Sequence, residues 1–352
     1  MNETIIFMLK LTPRQLKTLD FIRQKGRATN QEIKEYLRDI SRITVVRELN
    51  TLLTLGLIKK AGQGRNVYYQ EKVTSEFCRY FDVEKYFSQG PDERKLAFER
   101  FNFGIFKNLK GIFSPKELAE LKKLNLKYQQ RIKKLSAAAL KKEFERLTIE
   151  LSWKSSQIEG NTYSLIDTEV LIKEHKEAAG HKKEEAIMIL NHKKALDYIL
   201  NKVSDFKHLT LGKIDNIHQL LVKDLGVEKG LRQRIVGIVG TRYKPLDNQH
   251  QIKEIMEKTI RLINNLKDPF TKTLLAILLI SYIQPFADGN KRTARLLGNA
   301  ILLAYQACPL SFRSVNEADY KKAIIIFYEQ NNLCFFKELF IEQFKFAVNN
   351  YF

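Results

Sequence analysis

The chain is best read outward from Ile283-Gln-Pro-Phe-Ala-Asp-Gly-Asn-Lys-Arg-Thr-Ala-Arg295, a helix end, a tight loop and a new helix start. Before it, Thr271–Ile283 (TKTLLAILLISYI) is an apolar run too short to span a bilayer and suited to a buried helix. Pro285 stops that helix. Asp288-Gly289-Asn290 is turn chemistry, and from Asn290 on the pattern is helical again. Such a corner aims unpaired backbone N–H groups at one point, at the positive end of a helix dipole, which suits phosphate. Arg292 and Arg295 stand three apart on one face of the new helix, where two cations repel and want an anion or a carboxylate. Asp288 beside such a nest is a candidate Mg²⁺ ligand, because Mg²⁺ is usually held by one or two carboxylates plus phosphate oxygens. An ordinary helical corner with solvated arginines would share most of these residues.

Pro285, Phe286, Asp288, Gly289, Asn290, Lys291, Arg292 and Arg295 match, in order, the signature of the Fic (Fido) family: His-Pro-Phe-x-Asp/Glu-Gly-Asn-Gly/Lys-Arg-x-x-Arg. The stretch resembles that family with one departure: its His position is Gln284. The resemblance covers roughly residues 137–345. It implies an all-helical core, ATP as substrate or ligand, Mg²⁺ on Asp288, and transfer of AMP to a Ser, Thr or Tyr hydroxyl of a protein target. By the same resemblance, Gln284, Asn290 and Arg292 occupy catalytic positions. Asp288, Gly289, Asn290, Lys291, Arg292 and Arg295 occupy nucleotide-binding ones. The family's His is the general base for the attacking hydroxyl, a role suited to imidazole near neutral pH. A carboxamide donates and accepts hydrogen bonds but does not ionise. Losing a general base costs about 10²–10⁴-fold, so transfer is expected to be slow.

Ala137–Ile158 reads as a long amphipathic helix closed by Gly160. Ser155-x-x-x-Glu159-Gly160-Asn161 resembles the Fic inhibitory motif, in which the Glu pairs with the arginine that should hold the γ-phosphate, here Arg295. Ser155, Glu159 and Gly160 are therefore the expected intramolecular brake. Leu231–Pro245 (LRQRIVGIVGTRYKP) alternates and carries Gly237 and Gly240, which reads as a β-hairpin. It resembles the Fic flap, whose edge strand holds a target segment by β-augmentation, and Ile238, Val239, Gly240 and Thr241 are the expected docking residues. A purely structural hairpin would read the same way.

The N-terminal stretch has a different grammar. Thr12 and Pro13 open one helix, Thr29-Asn-Gln-Glu32 is a capping box for a second, and Ser41 caps a third, with Val46, Leu49, Leu52 and Leu53 expected inward. Two short strands around Ala-Gly-Gln-Gly follow. Helix, helix, helix, hairpin resembles a winged helix-turn-helix, with Arg42, Thr44 and Arg47 exposed on the third helix and Arg65 at the wing. Residues 1–72 hold 14 Lys/Arg against 7 Asp/Glu, a surplus suited to duplex DNA. Winged helices also serve as dimerisation or docking modules, so that alternative stays open.

The 352 residues carry a net charge of +20, which favours polyanionic partners. Three widely spaced cysteines fit neither a zinc site nor a disulfide framework, and point to a reducing, cytoplasmic setting. No membrane segment or signal peptide is expected, and a homodimer is left open. The fold class read from this is mainly α: a winged helix domain (1–72), an aromatic-rich helical connector (73–136) and a Fic core (137–352). That core contains the inhibitory helix (137–160), a β-hairpin flap (231–245) and the nucleotide loop (284–295). Three functions fit: a slow, autoinhibited AMP transferase, a DNA-binding regulator that senses nucleotide without turnover, and an interaction module.

Overall fold

The computed structural model describes residues 11–352 apart from Thr74 and Asn108, with no side-chain detail at Arg65. The expected wing contact at Arg65 therefore lies outside the described side chains. The chain divides into two compact units, Met1–Glu84 and Lys85–Phe352. Residues 85–136 thus belong to the same unit as the helices that follow them.

In the first unit, α1 (Pro13–Lys25) and α2 (Asn30–Leu37) each start with a two-way capping box, from Thr12 to Gln15 and from Thr29 to Glu32. Ser41 caps α3 (Arg42–Thr54). Strands β1 (Ile58–Ala61) and β2 (Tyr68–Glu71) form an antiparallel pair with Ile58 opposite Glu71 and Ala61 opposite Tyr68. Leu19, Ile22, Ile33, Val45, Leu49 and Leu52 form the core of this unit. The inward face of α3 is set one residue from the expected one: Val45 is fully buried while Val46 is exposed. Val45, Leu49 and Leu52 recur at helical spacing on one stripe, and Val46 falls outside it. Thr44 is half-buried and shares its hydroxyl with Ser41, whereas Arg42 and Arg47 are exposed as expected.

Helix α4 (Val83–Phe87) crosses the division in sequence. The second unit then runs α5 (Pro115–Ile132), α6 (Ala137–Ile158), α7 (Leu165–Glu174), α8 (Lys183–Asn201) and α9 (Leu211–Leu221). It continues with α10 (Gln249–Asn265), α11 (Pro269–Ile283), α12 (Asn290–Ala304), α13 (Glu317–Gln330) and α14 (Cys334–Asn350).

The centre of this unit is α11 against α12. Every residue of α11 from Phe270 to Ile283 is buried, and in α12 Lys291 alone is not. A helix apolar all round belongs in a core. Gly298 lets the pair close, since a Cβ there would sit 2.8 Å from the Ile277 side chain. Lys272, the one cation in α11, spends its ammonium on the carbonyls of Ile263 and Asn264 at the C-terminus of α10, at 2.8 and 3.1 Å. The apolar C-terminus is docked: Tyr351 is buried and its hydroxyl donates to Glu150, while Phe352 packs on Phe144 and Tyr128. No helix among the described residues is long and apolar enough to cross a membrane.

The second expected hairpin is not formed. Residues 231–245 are irregular, with bends at 231 and 234, a turn at 239–240 and one isolated parallel bridge, Arg100 to Lys244. Alternation in sequence reports which side chains face inward, and pairing needs a partner strand at the right register. Here side chains from other elements take the place of the ladder.

Candidate functional site

Gln284 ends α11 in the left-handed conformation, φ 51° and ψ 60°. Residues with a Cβ seldom sit there, and the surrounding hydrogen bonds over-determine the position. The Asn290 side chain closes the loop on itself. It accepts from the Phe286 amide at 2.8 Å and donates to the Phe286 carbonyl at 2.8 Å and to Gln284 Oε1 at 3.0 Å. Gln284 Nε2 donates to the Ser281 carbonyl at 2.7 Å and lies 3.4 Å from the Tyr328 hydroxyl. Both ends of the amide are thus engaged, one by Asn290 and the other by the last turn of α11.

Gly289 caps α12 at φ 77°, and a Cβ there would lie 3.1 Å from Val222 and 3.6 Å from Arg292 Nη2. The sequence places glycine where neither backbone nor space accepts another residue. Beyond it, the first-turn amides of α12 have no intrahelical acceptor, which makes an anion site. Arg292 is buried beneath them. One guanidinium nitrogen reaches Asp288 at 3.2 Å, and Nη1 is a buried donor without a partner. A buried unpaired donor on a cation is costly, and an anion would satisfy it.

Arg295, fully buried, is the meeting point with α6. Its Nε donates to Ser155 Oγ at 2.9 Å, and Nη2 donates to the Ser155 carbonyl at 2.8 Å and to Glu159 Oε1 at 2.9 Å. Lys291 holds the other Glu159 oxygen at 3.1 Å. Burial pushes the Glu159 carboxyl up, but Arg295 and Lys291 outweigh it and hold it at about 2. The Glu159–Arg295 meeting expected from sequence is present, and Lys291, expected on phosphate, shares the same carboxylate. The two arginines do not share one anion: Arg292 takes Asp288 and Arg295 takes Glu159.

Asp288 has a side chain 68 % exposed and opens to solvent. Among the described residues no group of three or more His, Cys, Asp or Glu could hold a metal alone. A single carboxylate suits Mg²⁺ when phosphate oxygens complete its shell, so the donor set fits a nucleotide-borne ion.

Sequence reading missed three residues of this site. His218 on α9 stacks on Phe286, ring centroids 3.8 Å apart, and its Nε2 donates to the Asp288 carbonyl at 3.0 Å. Burial pushes this imidazole below its usual value, so it stays neutral. Arg232, 2 % exposed, donates to the carbonyls of Gln284 at 2.6 Å, Arg234 at 2.8 Å and Leu246. Its own amide donates to Pro285 O at 3.0 Å, tying residues 231–246 to the loop. Glu329, fully buried on α13, accepts from Thr241. All three spend themselves on distant backbone or polar atoms, which no local pattern displays.

A cavity of about 400 Å³ lies over the loop, bounded by Glu159, Gln284, the residues 287–292, Tyr328 and residues 236–239. That size falls in the range of small-molecule sites. Of the expected docking residues, Ile238 and Val239 border the cavity, whereas Gly240 and Thr241 are bonded to Arg94 and Glu329. Ile235 and Val239 are 78 % and 97 % exposed.

Residues 208–302 match the model of the Fic/DOC family. It is 25 % identical over 185 residues to the protein adenylyltransferase Fic of Nematostella vectensis, covering 51 % of this chain and 43 % of that one. It is 31 % identical over 174 residues to the protein of the same name from Aedes aegypti, covering 47 % and 34 %. The chain thus spans less than half the length of these relatives. Among solved structures it resembles Fic-1 (residues 134–508) from C. elegans, with TM-score 0.60 and 19 % identity over 67 % of this chain and 71 % of that one. It also resembles a Fic-domain signalling protein from Bacteroides thetaiotaomicron, with TM-score 0.56 and 21 % identity over 65 % and 94 %. Likeness at this level concerns the fold.

Proposed function

We propose that the chain transfers AMP from ATP to a hydroxyl of a protein target, slowly, with Glu159 as an internal brake. The observation that carries this reading is the Glu159 carboxylate on Arg295, 2.9 Å away, at the start of α12 beside a cavity of nucleotide scale. The first-turn amides of α12 and the unpartnered Arg292 Nη1 receive phosphates. Asp288 would hold Mg²⁺ with the help of phosphate oxygens, and the ion would supply an offset to phosphate charge. The target hydroxyl attacks the α-phosphorus, the bond to the pyrophosphate oxygen breaks, and the hydroxyl proton has to leave. Gln284 cannot take that proton, so its amide at most orients the hydroxyl. The largely exposed residues 235–239 offer backbone beside the cavity for the target segment.

One observation favours a second reading, a DNA-binding regulator that senses nucleotide without turnover. Both ends of the Gln284 amide are already bonded, one to Asn290 and the other to the last turn of α11. The first unit also presents Arg42 and Arg47 on the exposed face of α3. Incubation with α-labelled ATP separates the two, using wild type, Glu159→Gly, Gln284→His and the double variant. The double variant is expected to transfer about 10²–10⁴-fold faster than Glu159→Gly alone. ATP binding by calorimetry without label transfer in any variant would favour the second reading. Under that reading, Arg42→Ala and Arg47→Ala each lower the log–log salt slope of duplex DNA binding by about 1.

A further inference from the structure

Glu329 is a fully buried carboxylate on the last turn of α13, outside the nucleotide loop, and the mechanism above does not use it. Arg94, itself 3 % exposed, grips it with two nitrogens, Nε to Oε2 at 3.1 Å and Nη2 to Oε1 at 2.9 Å. Tyr86 donates to Oε2 at 2.6 Å, and Thr241 donates to Oε1 at 2.5 Å. Arg94 Nη2 also reaches the Gly240 carbonyl at 2.5 Å. The same stretch of chain joins the segment twice more: Arg242 donates to the Arg94 carbonyl at 2.8 Å, and the Lys244 amide donates to the Glu99 carbonyl at 2.8 Å.

A buried charge pair of this kind is stabilised when every lone pair and donor is used, and it tolerates little displacement of its partners. Two of its partners, Gly240 and Thr241, belong to a segment with no strand ladder. The side chain and carbonyl of that corner are held while Ile235–Val239 beside it stays exposed or half-exposed.

We propose that Glu329 and Arg94 are positioning residues: they fix the Gly240–Thr241 corner and thereby set the conformation of residues 235–239 over the cavity. The inference rests on the proposed function in taking 235–239 as the target-facing stretch. It explains how an unpaired segment with two glycines is presented in one conformation. It also assigns a purpose to residues 86–100, which supply Tyr86, Arg94 and the Glu99 carbonyl.

The test is hydrogen exchange by mass spectrometry on the 352-residue chain, with ATP affinity measured on the same samples. Thr241→Val removes the donor to Glu329 and the acceptor of the Tyr243 amide while keeping the side-chain shape, and Glu329→Gln removes the charge that Arg94 grips. Both are expected to raise amide exchange in residues 236–241 by about tenfold or more, with α11 and α12 unchanged. ATP affinity is expected to stay within about threefold, because the phosphate-binding amides are untouched. Arg94→Lys, which keeps charge but loses the fork, is expected to fall between. Unchanged exchange at 236–241 in Thr241→Val overturns the proposal, as does an equal rise in α11 and α12. If Glu329→Gln does not fold, Thr241→Val still decides. Failure of the wild type to bind ATP would sink the proposed function and leave this exchange result standing.

Discussion

The loop Gln284–Arg295 and the segment Leu231–Pro245 face each other across one cavity, and they are held by opposite means. The loop is buried apart from Ala287, Asp288 and Lys291, and its own residues bond one another: Asn290 closes on Phe286 and Gln284, and Gly289 takes the left-handed turn. The segment is largely exposed and is fixed at its ends and its corner by Arg232, Arg94 and Glu329. A self-contained turn can be read from a dozen residues. A segment restrained from elsewhere has a conformation that its own residues do not specify.

The largest effect expected is from Arg232→Ala, which removes the side-chain bonds of Arg232 and leaves its amide on the Pro285 carbonyl. It strips hydrogen bonds from the Gln284 and Leu246 carbonyls, both in buried residues, and leaves a void. Two unsatisfied buried acceptors plus lost packing cost about 4 kcal/mol. Denaturant melts measure this directly. A loss below about 1 kcal/mol would mean that the loop and the segment are held independently.

Next comes Glu159→Gly, which tests the loop side alone. The carboxyl falls from an ordinary 4.5 to about 2 on folding, worth about 3 kcal/mol. A depressed carboxyl contributes stability above its unfolded value and loses it as pH falls through the folded one. The contribution is therefore complete near neutrality and fades between pH 4.5 and about 2. Removing Glu159 leaves Arg295 buried without its carboxylate, so the variant melts lower without ligand. ATP, with a γ-phosphate to put on Arg295, is expected to restore more stability than ADP. Equal shifts from ATP and ADP would separate Glu159 from the γ-phosphate position.

Against these two effects, what the sequence made legible is easy to sort physically. The meeting of Ser155 and Glu159 with Arg295 was expected from the resemblance to paired Fic motifs, and the Gly289 turn was readable because Asp288-Gly289-Asn290 is local turn chemistry at a helix start. The three capping residues Thr12, Thr29 and Ser41 were readable for the same reason. His218, Arg232 and Glu329 were not, because in sequence they are ordinary polar residues and their partners lie 70, 52 and 88 residues away. The hairpin over 231–245 was misread because alternation reports burial, and a ladder depends on a neighbour the segment does not have. Val46 was misplaced by one position, about 100° around a helix, which is enough to turn it from core to surface.

A smaller effect is expected from His218→Phe. The ring still stacks on Phe286, but the Asp288 carbonyl loses its donor. The cost is about 1 kcal/mol in stability, with ATP binding about tenfold weaker because the loop amides are less well aimed. Burial keeps this imidazole neutral in the fold, so its contribution is present above the ordinary histidine value and is lost as pH falls below it. Wild type is expected to lose more stability than the Phe variant on acidification toward pH 5, read from melts at each pH. Identical pH profiles would remove His218 from the loop's support.

The smallest stability effect is expected from Ile235→Ser with Val239→Ser, and that smallness is its value. Both side chains stand in solvent, so neither contributes much burial to the fold. Surface changes of this kind shift stability by about 0.5 kcal/mol or less. Ser keeps the backbone amides that a docked target segment would use, so main-chain recognition survives. What is lost is apolar contact with the target's side chains on either side of the docked stretch. The double variant should therefore melt like wild type and bind ATP like wild type. In the Glu159→Gly, Gln284→His background it should transfer less label to protein in trans, while ATP turnover to a small hydroxyl acceptor stays the same. Equal loss in both assays would place the defect in the cavity rather than in target docking. A clear fall in melting temperature would mean that the segment packs against something else, and that its exposed residues are not the docking surface.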